Sequence, residues 1–172
     1  FKDEPGAVFL DSSLVNNLGQ YSIICLNPYL TISEEEGICR CNGVVQEESF
    51  EECLARYLQE HQEDNPTSLP LISGAVGYFT YDYGRKFEKI PSRHPKKFSM
   101  PDAVFTFYDN YLIEDLTEKK LWLTAHGIKK DPRASMGEIL DKIQNCPPAP
   151  IPEKHGQTAA FCANFQKSCW LG

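Results

Sequence analysis

Short apolar stretches separated by turn-forming residues fill most of the chain. This alternation predicts a sheet of short strands joined by hairpins and loops. The predicted strands cover residues 7–10, 21–26, 29–32, 38–41, 103–108, 111–116 and 120–125, and a further strand starts at residue 44. Asn27-Pro28 is predicted to stop the second strand, Asn42-Gly43 is a strong hairpin signal, and Asp109-Asn110 is predicted to form a turn or a bulge.

Two segments have the apolar spacing of amphipathic helices. The first begins at Ser49, which forms a capping box with Glu52, and it should end near residues 60–61. Its apolar stripe consists of Phe50, Cys53, Leu54, Tyr57 and Leu58. Asp131 as the cap and Pro132 at the first helical position open the second helix. Together these elements predict an α+β fold: an antiparallel, hairpin-rich, sandwich-like sheet with two packed helices.

The most distinctive stretch is residues 73–85, Ser-Gly-Ala-Val-Gly-Tyr-Phe-Thr-Tyr-Asp-Tyr-Gly-Arg. Its glycine end lets a neighbouring backbone approach closely, and its aromatic end packs rings. Because both faces of the alternating pattern carry bulk, we predict a central strand buried on two sides, and a sheet core rather than a ligand site. Asp82 and Arg85 are predicted to form a structural ion pair.

Composition narrows the possible partners. A formal net charge of −7 over 172 residues disfavours nucleic acid and anionic membranes, which attract clustered Lys and Arg. No apolar run approaches the roughly 20 residues of a membrane span. Of the seven cysteines, only Cys39 and Cys41 lie close together, and no second pair completes a zinc set. We expect reduced thiols and therefore a cytoplasmic protein.

The titratable residues have no spacing typical of catalysis. The four histidines are scattered near predicted loops and element ends. The acidic runs at residues 34–36 and 47–48 are predicted to be solvated, in or beside turns. We therefore predict no catalytic residue, no metal ligand and no cofactor in this chain.

A proline-rich segment follows the second predicted helix. Residues 146–153 are Cys-Pro-Pro-Ala-Pro-Ile-Pro-Glu, which is typical of a stiff, extended linker. Only about twenty residues remain beyond it, too few for a core of their own. We therefore predict a domain over residues 1–146, then a linker and the truncated start of a second domain at residues 147–172 of a longer protein.

Several motifs together resemble the family of aminodeoxychorismate synthase component I and anthranilate synthase component I. The resemblance to the amino-terminal domain of that family rests on residues 9–13 (Phe-Leu-Asp-Ser-Ser), 20–24 (Gln-Tyr-Ser-Ile-Ile) and 27–30 (Asn-Pro-Tyr-Leu). The glycine–tyrosine strand at 73–82, the segment 101–109 and Phe-Cys-Ala-Asn-Phe at 161–165 are also similar to it. Gln20, where the family usually has Arg, and the residues after 165 depart from its pattern.

The resemblance implies that the full enzyme aminates chorismate to 4-amino-4-deoxychorismate, for p-aminobenzoate and folate synthesis. It implies that a glutamine amidotransferase subunit supplies ammonia. It also implies that magnesium and the acid–base residues belong to a carboxy-terminal chorismate-binding domain, so this chain is a non-catalytic part. The motif positions that carry over to an amino-acid pocket are Asp11, Ser12, Tyr21 and Ser22. A carboxylate and hydroxyls suit an ammonium group, and an aromatic wall suits a ring.

Two other interpretations stay open from the sequence. The chain could be the amino-terminal regulatory domain of anthranilate synthase component I, although Asp11, in place of the Glu usual there, favours the aminodeoxychorismate branch. It could also be a free-standing small-molecule binding module. The surface meant for a catalytic half would be left bare, so we expect self-association or a partner sheet over residues 74–83.

Overall fold

The computed structural model describes residues 1, 3–16, 18–88 and 100–148. In this part of the chain, seven antiparallel strands form one sheet, and two α-helices pack beside it. The elements are β1 (Val8–Leu10), β2 (Tyr21–Glu35), β3 (Ile38–Cys41), β4 (Val44–Val45), α1 (Phe50–Glu60), β5 (Ala75–Phe79), β6 (Ala103–Asp115), β7 (Lys120–Ala125) and α2 (Pro132–Gln144). A 3₁₀ helix, Tyr81–Lys86, follows β5. The predicted α+β class is confirmed. Of the predicted linker and second domain, residues 149–172 lie outside the described residues.

Two long strands, β2 and β6, form the middle of the sheet. They pair from Tyr21 opposite Asp115 to Glu34 opposite Ala103. On the outer side of β2, β1 pairs with one end and β3 with the other. On the outer side of β6, β5 and β7 divide the strand in the same way. Each end of the central pair is therefore widened by its own short strands.

The strand β2 does not stop at Asn27-Pro28, so that prediction is wrong. Asn27 takes a positive φ of 55°, and the register against β6 shifts between Pro28 and Leu30. Such a β-bulge accommodates a left-handed residue and a proline without ending the strand, because the ladder resumes beyond the irregular residues. The two short strands predicted from residues 21–32 are thus one bent strand.

Asp109 does not lie in a turn either, but inside β6, where it is 1% exposed. Its carboxylate accepts hydrogen bonds from three consecutive backbone N–H groups, those of Gly127, Ile128 and Lys129, at 2.7, 2.8 and 3.0 Å. These donors belong to the connection between β7 and α2. A residue type that is common in turns is used here to fix a loop against the sheet.

Asn110, the next residue, is fully buried and joins three elements. Its side-chain oxygen accepts a hydrogen bond from Asn27 of β2 at 2.8 Å. Its amide group donates to the Thr124 carbonyl of β7 and to the Ser135 hydroxyl of α2, both at 3.2 Å. Because every one of these groups is paired, burial of the amide carries no penalty for lost hydrogen bonds to water.

The glycine-rich stretch is an edge strand, not the predicted central strand. β5 is the last strand in the order β4-β3-β2-β6-β5, and its Tyr78 and Phe79 side chains are 40% and 50% exposed. The residues from Tyr81 onward leave the sheet as the 3₁₀ helix. Large side chains on both faces of a strand occur at the edge of a sheet as well as in its middle, because the pattern of side chains does not show whether the strand has one neighbour or two.

Local signals for both helices are confirmed. The Ser49 hydroxyl oxygen accepts the Glu52 backbone N–H at the start of α1, and the Glu52 carboxylate accepts the Ser49 backbone N–H, which completes the capping box. Asp131 caps α2, with Pro132 in its first turn. The helix α1 covers one buried cluster: Leu30, Ile32, Cys39, Phe50, Cys53, Tyr83, Ala103 and Phe107. A second cluster consists of Ile23, Cys25, Tyr108, Tyr111 and Ile113. The core is therefore divided between the two ends of the central strands.

Gly77 provides the first test of this packing. A Cβ atom at this position would lie 2.0 Å from the Val104 carbonyl oxygen and 2.8 Å from the Phe105 Cα. We expect Gly77→Ala to lower the free energy of unfolding by about 2–3 kcal/mol, because the paired backbone of β6 must move. Gly84→Ala is the matched control, since a Cβ there meets nothing within 4 Å, and it should change stability by less than about 0.5 kcal/mol. Equal losses in denaturant titrations of the two variants would contradict the close approach.

Asp109 provides the second test. We expect Asp109→Ala to lower the free energy of unfolding by about 2–4 kcal/mol, since three backbone donors lose a charged acceptor in a buried place. The control is Asp115→Ala, which removes an acceptor from Thr117 and Glu118 in an exposed turn. Its loss should be below about 1 kcal/mol, because water replaces the carboxylate there. Urea unfolding of both variants measures the difference, and a mild Asp109 variant would contradict a structural role for the carboxylate.

Candidate functional site

The four residues predicted to line a pocket lie where β1 ends and β2 begins. In the antiparallel pair, Leu10 of β1 stands opposite Ile23 of β2. The residues just after Leu10 therefore run beside the residues just before Ile23. This pairing brings Asp11 and Ser12 next to Tyr21 and Ser22, ten or so positions further along the chain.

Three hydrogen bonds join these residues. The Ser12 backbone N–H donates to the Ser22 hydroxyl oxygen at 3.1 Å, and the Ser12 hydroxyl donates to the Tyr21 carbonyl at 2.7 Å. The Ser22 hydroxyl in turn donates to Asp11 Oδ1 at 3.3 Å. Ser22 is only 5% exposed, whereas Asp11 is exposed. The network is thus anchored in the sheet and presents a carboxylate at the surface.

The direction of these bonds decides what the network can bind. A serine hydroxyl has one hydrogen to donate and two lone pairs to accept with. Ser12 and Ser22 both use that hydrogen within the network. What they and Asp11 still offer to a ligand are acceptor oxygens, one of them on a carboxylate. Such a set suits a hydrogen-bond donor with positive charge, such as an ammonium group.

The Tyr21 ring does not join this network. Successive side chains of a strand point to opposite faces, so the Tyr21 ring and the Ser22 hydroxyl face opposite ways. The partly buried ring packs against the second buried cluster instead. Only the Tyr21 carbonyl contributes to the polar network.

Exposed apolar side chains stand beside the network. The connection from β1 to β2 carries Leu14, Val15 and Leu18, which are 70%, 57% and 97% exposed. Asn16 stabilises this connection, because its Oδ1 accepts hydrogen bonds from the backbone N–H groups of Leu18 and Gly19 at 2.8 and 2.9 Å. Three aliphatic side chains on one short connection are more apolar surface than a solvated loop needs.

A second polar cluster, which the sequence pattern does not predict, joins β2, α1 and the 3₁₀ helix at the other end of the sheet. The predicted solvated acidic run includes Glu34, but its side chain is only 5% exposed and pairs with Lys86 of the 3₁₀ helix. Lys86 donates to Glu34 at 2.7 Å and to Glu51 of α1 at 3.0 Å. The correction has a simple reason: Glu34 still belongs to β2, and only Glu36-Gly37 form the turn. No local signal distinguishes it from its solvated neighbours.

Hydrogen bonds within this cluster shift the pKa values of Lys86 and Glu51. Burial of Lys86 favours the neutral amine, yet its hydrogen bonds to the two carboxylates raise the pKa of the ammonium above its ordinary value. Burial of Glu51 opposes ionisation, but Tyr83, which donates to it at 2.5 Å, and Lys86 hold the pKa of this carboxyl below its usual range. The charged forms of Lys86 and Glu51 are therefore both favoured. The cluster fastens the 3₁₀ helix to β2 and α1 and serves the fold.

The remaining predictions concern cysteines, ion pairs and metals. Asp82 and Arg85 pair at 2.8 Å, as predicted. Burial raises the pKa of Cys25 to about 11 and of Cys53 to about 12, so these thiols stay protonated near neutrality. Among residues 1–88 and 100–148, as far as the structure describes them, no group of three or more His, Cys, Asp or Glu side chains is placed to hold a metal ion. No helix in the same ranges is long and apolar enough to cross a membrane.

Known proteins resemble this chain over much of its length. Anthranilate synthase component 1 of Thermus thermophilus is 26% identical to this chain in an alignment 172 positions long, which covers 97% of this chain and 37% of that protein. The Lactococcus lactis anthranilate synthase component 1 is 33% identical over 62% of this chain and 24% of its own length. Aminodeoxychorismate synthase component 1 of Klebsiella aerogenes is 31% identical over 58% of this chain and 20% of its own length.

The fold has a counterpart among solved structures. Anthranilate synthase component I from Streptococcus pneumoniae superposes with a TM-score of 0.66 at 23% identity, over 78% of this chain and 32% of that one. The chain therefore spans between a fifth and two fifths of the length of these four proteins. A family model described as chorismate binding enzyme matches residues 10–171. The chain belongs to the chorismate binding enzyme family.

Proposed function

We propose that this chain is the amino-terminal, non-catalytic part of a cytoplasmic aminodeoxychorismate synthase component I, which aminates chorismate to 4-amino-4-deoxychorismate. The family match over residues 10–171 carries the proposal, because it covers nearly the whole chain. Relatives named for this activity match the chain at about 30% identity. The chain spans only 20–28% of those relatives, which leaves most of such a protein outside it.

On this proposal, the described residues have a structural role and a carboxy-terminal region carries out the reaction. The described residues form a sheet with two helices, and the charged cluster around Lys86 is used to fasten its elements together. We assign to a carboxy-terminal chorismate-binding region the magnesium site and the acid–base residues. A magnesium ion is held by grouped carboxylates, and we expect those ligands in the carboxy-terminal region. A glutamine amidotransferase subunit is proposed to supply the ammonia.

The polar network at the start of β2 is proposed to form one side of an amino-acid pocket. The Asp11 carboxylate and the lone pairs of Ser12 suit an α-ammonium group, since the hydroxyl hydrogens are already committed. The aliphatic side chains of residues 14–18 suit an apolar amino-acid side chain. The ammonium group and the apolar side chain of one amino acid would thus contact neighbouring parts of the connection between β1 and β2.

Anthranilate synthase component I is the second candidate. The relative that aligns over 97% of this chain has that name, as does the solved structure with the same fold. Against it stands Asp11, a shorter acid than the Glu usual at this place in anthranilate synthases. The two branches differ in the ring position that receives the amino group, so their products distinguish them.

The product formed by the entire gene product tests the main proposal. With chorismate, Mg²⁺ and ammonium, we expect 4-amino-4-deoxychorismate, recognised by its conversion to p-aminobenzoate when a lyase for it is added. The 172-residue chain alone should turn over no chorismate under the same conditions, because the proposal locates the chemistry elsewhere. Fluorescent anthranilate as the product would establish the second candidate instead. Turnover by the chain alone would contradict the non-catalytic assignment.

Calorimetry with tryptophan tests the pocket. We expect the entire gene product to bind it, and Asp11→Asn to weaken binding by about ten- to a hundredfold, because a charge-assisted hydrogen bond to the ammonium is lost. Asp64→Asn removes an exposed carboxylate from the connection between α1 and β5, which contributes no bond to the network, and should leave the affinity unchanged. Equal affinity of the wild type and the Asp11 variant would exclude the carboxylate from the pocket, and absence of heat would exclude tryptophan as its ligand.

A further inference from the structure

The turn between β3 and β4 has an unusual chemical vulnerability. It consists of Asn42 and Gly43, with φ angles of 48° and 83°. Two successive left-handed residues are the signature of a two-residue hairpin turn, and the predicted hairpin is confirmed. Gly43 is exposed, and a Cβ atom built on it would meet nothing within 4 Å. Gly43 itself has no side chain that could hinder attack by its own backbone nitrogen.

The Asn42 side chain is held against the neighbouring strand. Its Oδ1 accepts the Thr31 backbone N–H at 2.9 Å, and its Nδ2 donates to the Tyr29 carbonyl at 3.3 Å. The Asn42 backbone N–H donates to the Thr31 carbonyl at 2.8 Å. These contacts fall beside the bulge of β2, where the register shifts between Pro28 and Leu30. The side chain therefore supplies partners to backbone groups at an irregular part of the ladder.

An Asn-Gly pair can lose ammonia without an enzyme. The Gly43 nitrogen attacks the Asn42 side-chain carbonyl carbon, a bond forms between them, and the bond from that carbon to the amide nitrogen breaks. Ammonia leaves with the proton from the Gly43 nitrogen. Water then opens the five-membered imide at either carbonyl, which leaves aspartate or isoaspartate at position 42. The only co-reactant is water.

We propose that Asn42-Gly43 is a deamidation site whose reaction the fold suppresses for as long as Asn42 remains bonded to β2. The attack requires the side-chain amide to swing over the Gly43 nitrogen, and that movement breaks both contacts with Tyr29 and Thr31. The rate then follows how often the hairpin opens. Since β4 contains only Val44–Val45 and both side chains are exposed, this hairpin belongs to the least stabilised part of the sheet.

The reaction also prevents the turn from re-forming as before. A carboxylate only accepts hydrogen bonds, so it faces the Tyr29 carbonyl as a second acceptor in place of the lost donor. Isoaspartate lengthens the backbone by one atom in a turn that has room for two residues. The β3–β4 hairpin, which leads into α1 through the bond from the Gln46 N–H to the Cys39 carbonyl, would stay loosened. Deamidation of Asn42 would thus label, without spontaneous reversal, those molecules in which the β3–β4 hairpin has opened.

Peptide mapping measures the protection. Trypsin releases residues 41–56, in which Asn42 is the only asparagine. The rate of its conversion to the acid is followed by mass spectrometry in the folded 172-residue chain, in the same chain unfolded in guanidinium, and in a synthetic peptide of residues 41–56. The peptide in both buffers shows whether guanidinium itself changes the chemistry. Gly43→Ala in the unfolded chain provides a chemical control, because a side chain after the asparagine hinders the attack.

We expect the folded chain to react at least about fivefold more slowly than the unfolded chain and the peptide, since only opened hairpins react. A smaller ratio would overturn the proposal. The consequence is tested separately with Asn42→Asp, which should lower the thermal midpoint by several degrees. Gln62→Glu, an equal charge change at an exposed position, should leave it unchanged. Equal midpoints for the two variants would show that Asn42 contributes nothing as a donor.

Discussion

The pairing of β2 with β6 is the constraint on which the rest of the structure depends. Except for β4, which pairs with β3, each of the other described strands pairs with one of these two. The pair is irregular at one place, where Asn27 takes its positive φ and Pro28 enters the strand. Asn110 of β6 lies opposite this region and bonds to Asn27 at 2.8 Å. The irregularity in β2 is therefore stabilised by an amide pair, and Asn110 of that pair also bonds to α2 through Ser135.

The candidate pocket depends on a second pairing, that of β1 with the start of β2. The position of β1 against β2 sets Asp11 and Ser12 beside Ser22, and the three hydrogen bonds follow from that register. A shift of one residue would turn Ser22 to the other face of the sheet and break the network. Asp11 and Ser12 follow β1 directly, so the register of β1 against β2 sets their position, and the bonds to Tyr21 and Ser22 hold them beside β2.

The sequence predicted the features that depend on neighbours in the chain. The capping box at Ser49, the cap at Asp131 and the pairing of Cys41 with Val44 around the Asn42-Gly43 turn involve partners within a few residues, so their residue types suffice. The errors concern residues whose partners lie far away. Lys86 is 52 positions from Glu34, and the donors to Asp109 are 18 to 20 positions from it. The family resemblance supplied the pocket positions, but the direction of each hydrogen bond depends on register and could not be predicted from residue types.

The direction of those bonds has a consequence for how a pocket here could be completed. An amino acid carries a carboxylate as well as an ammonium group, and a carboxylate needs donors. The hydroxyl hydrogens of Ser12 and Ser22 are committed to the Tyr21 carbonyl and to Asp11, so these side chains favour only the ammonium end. On the proposed function, the donors for the carboxylate come from outside this network. A binding site of this kind would make ligand affinity depend on how the two regions of the synthase are arranged, since each supplies the partners of one end of the ligand.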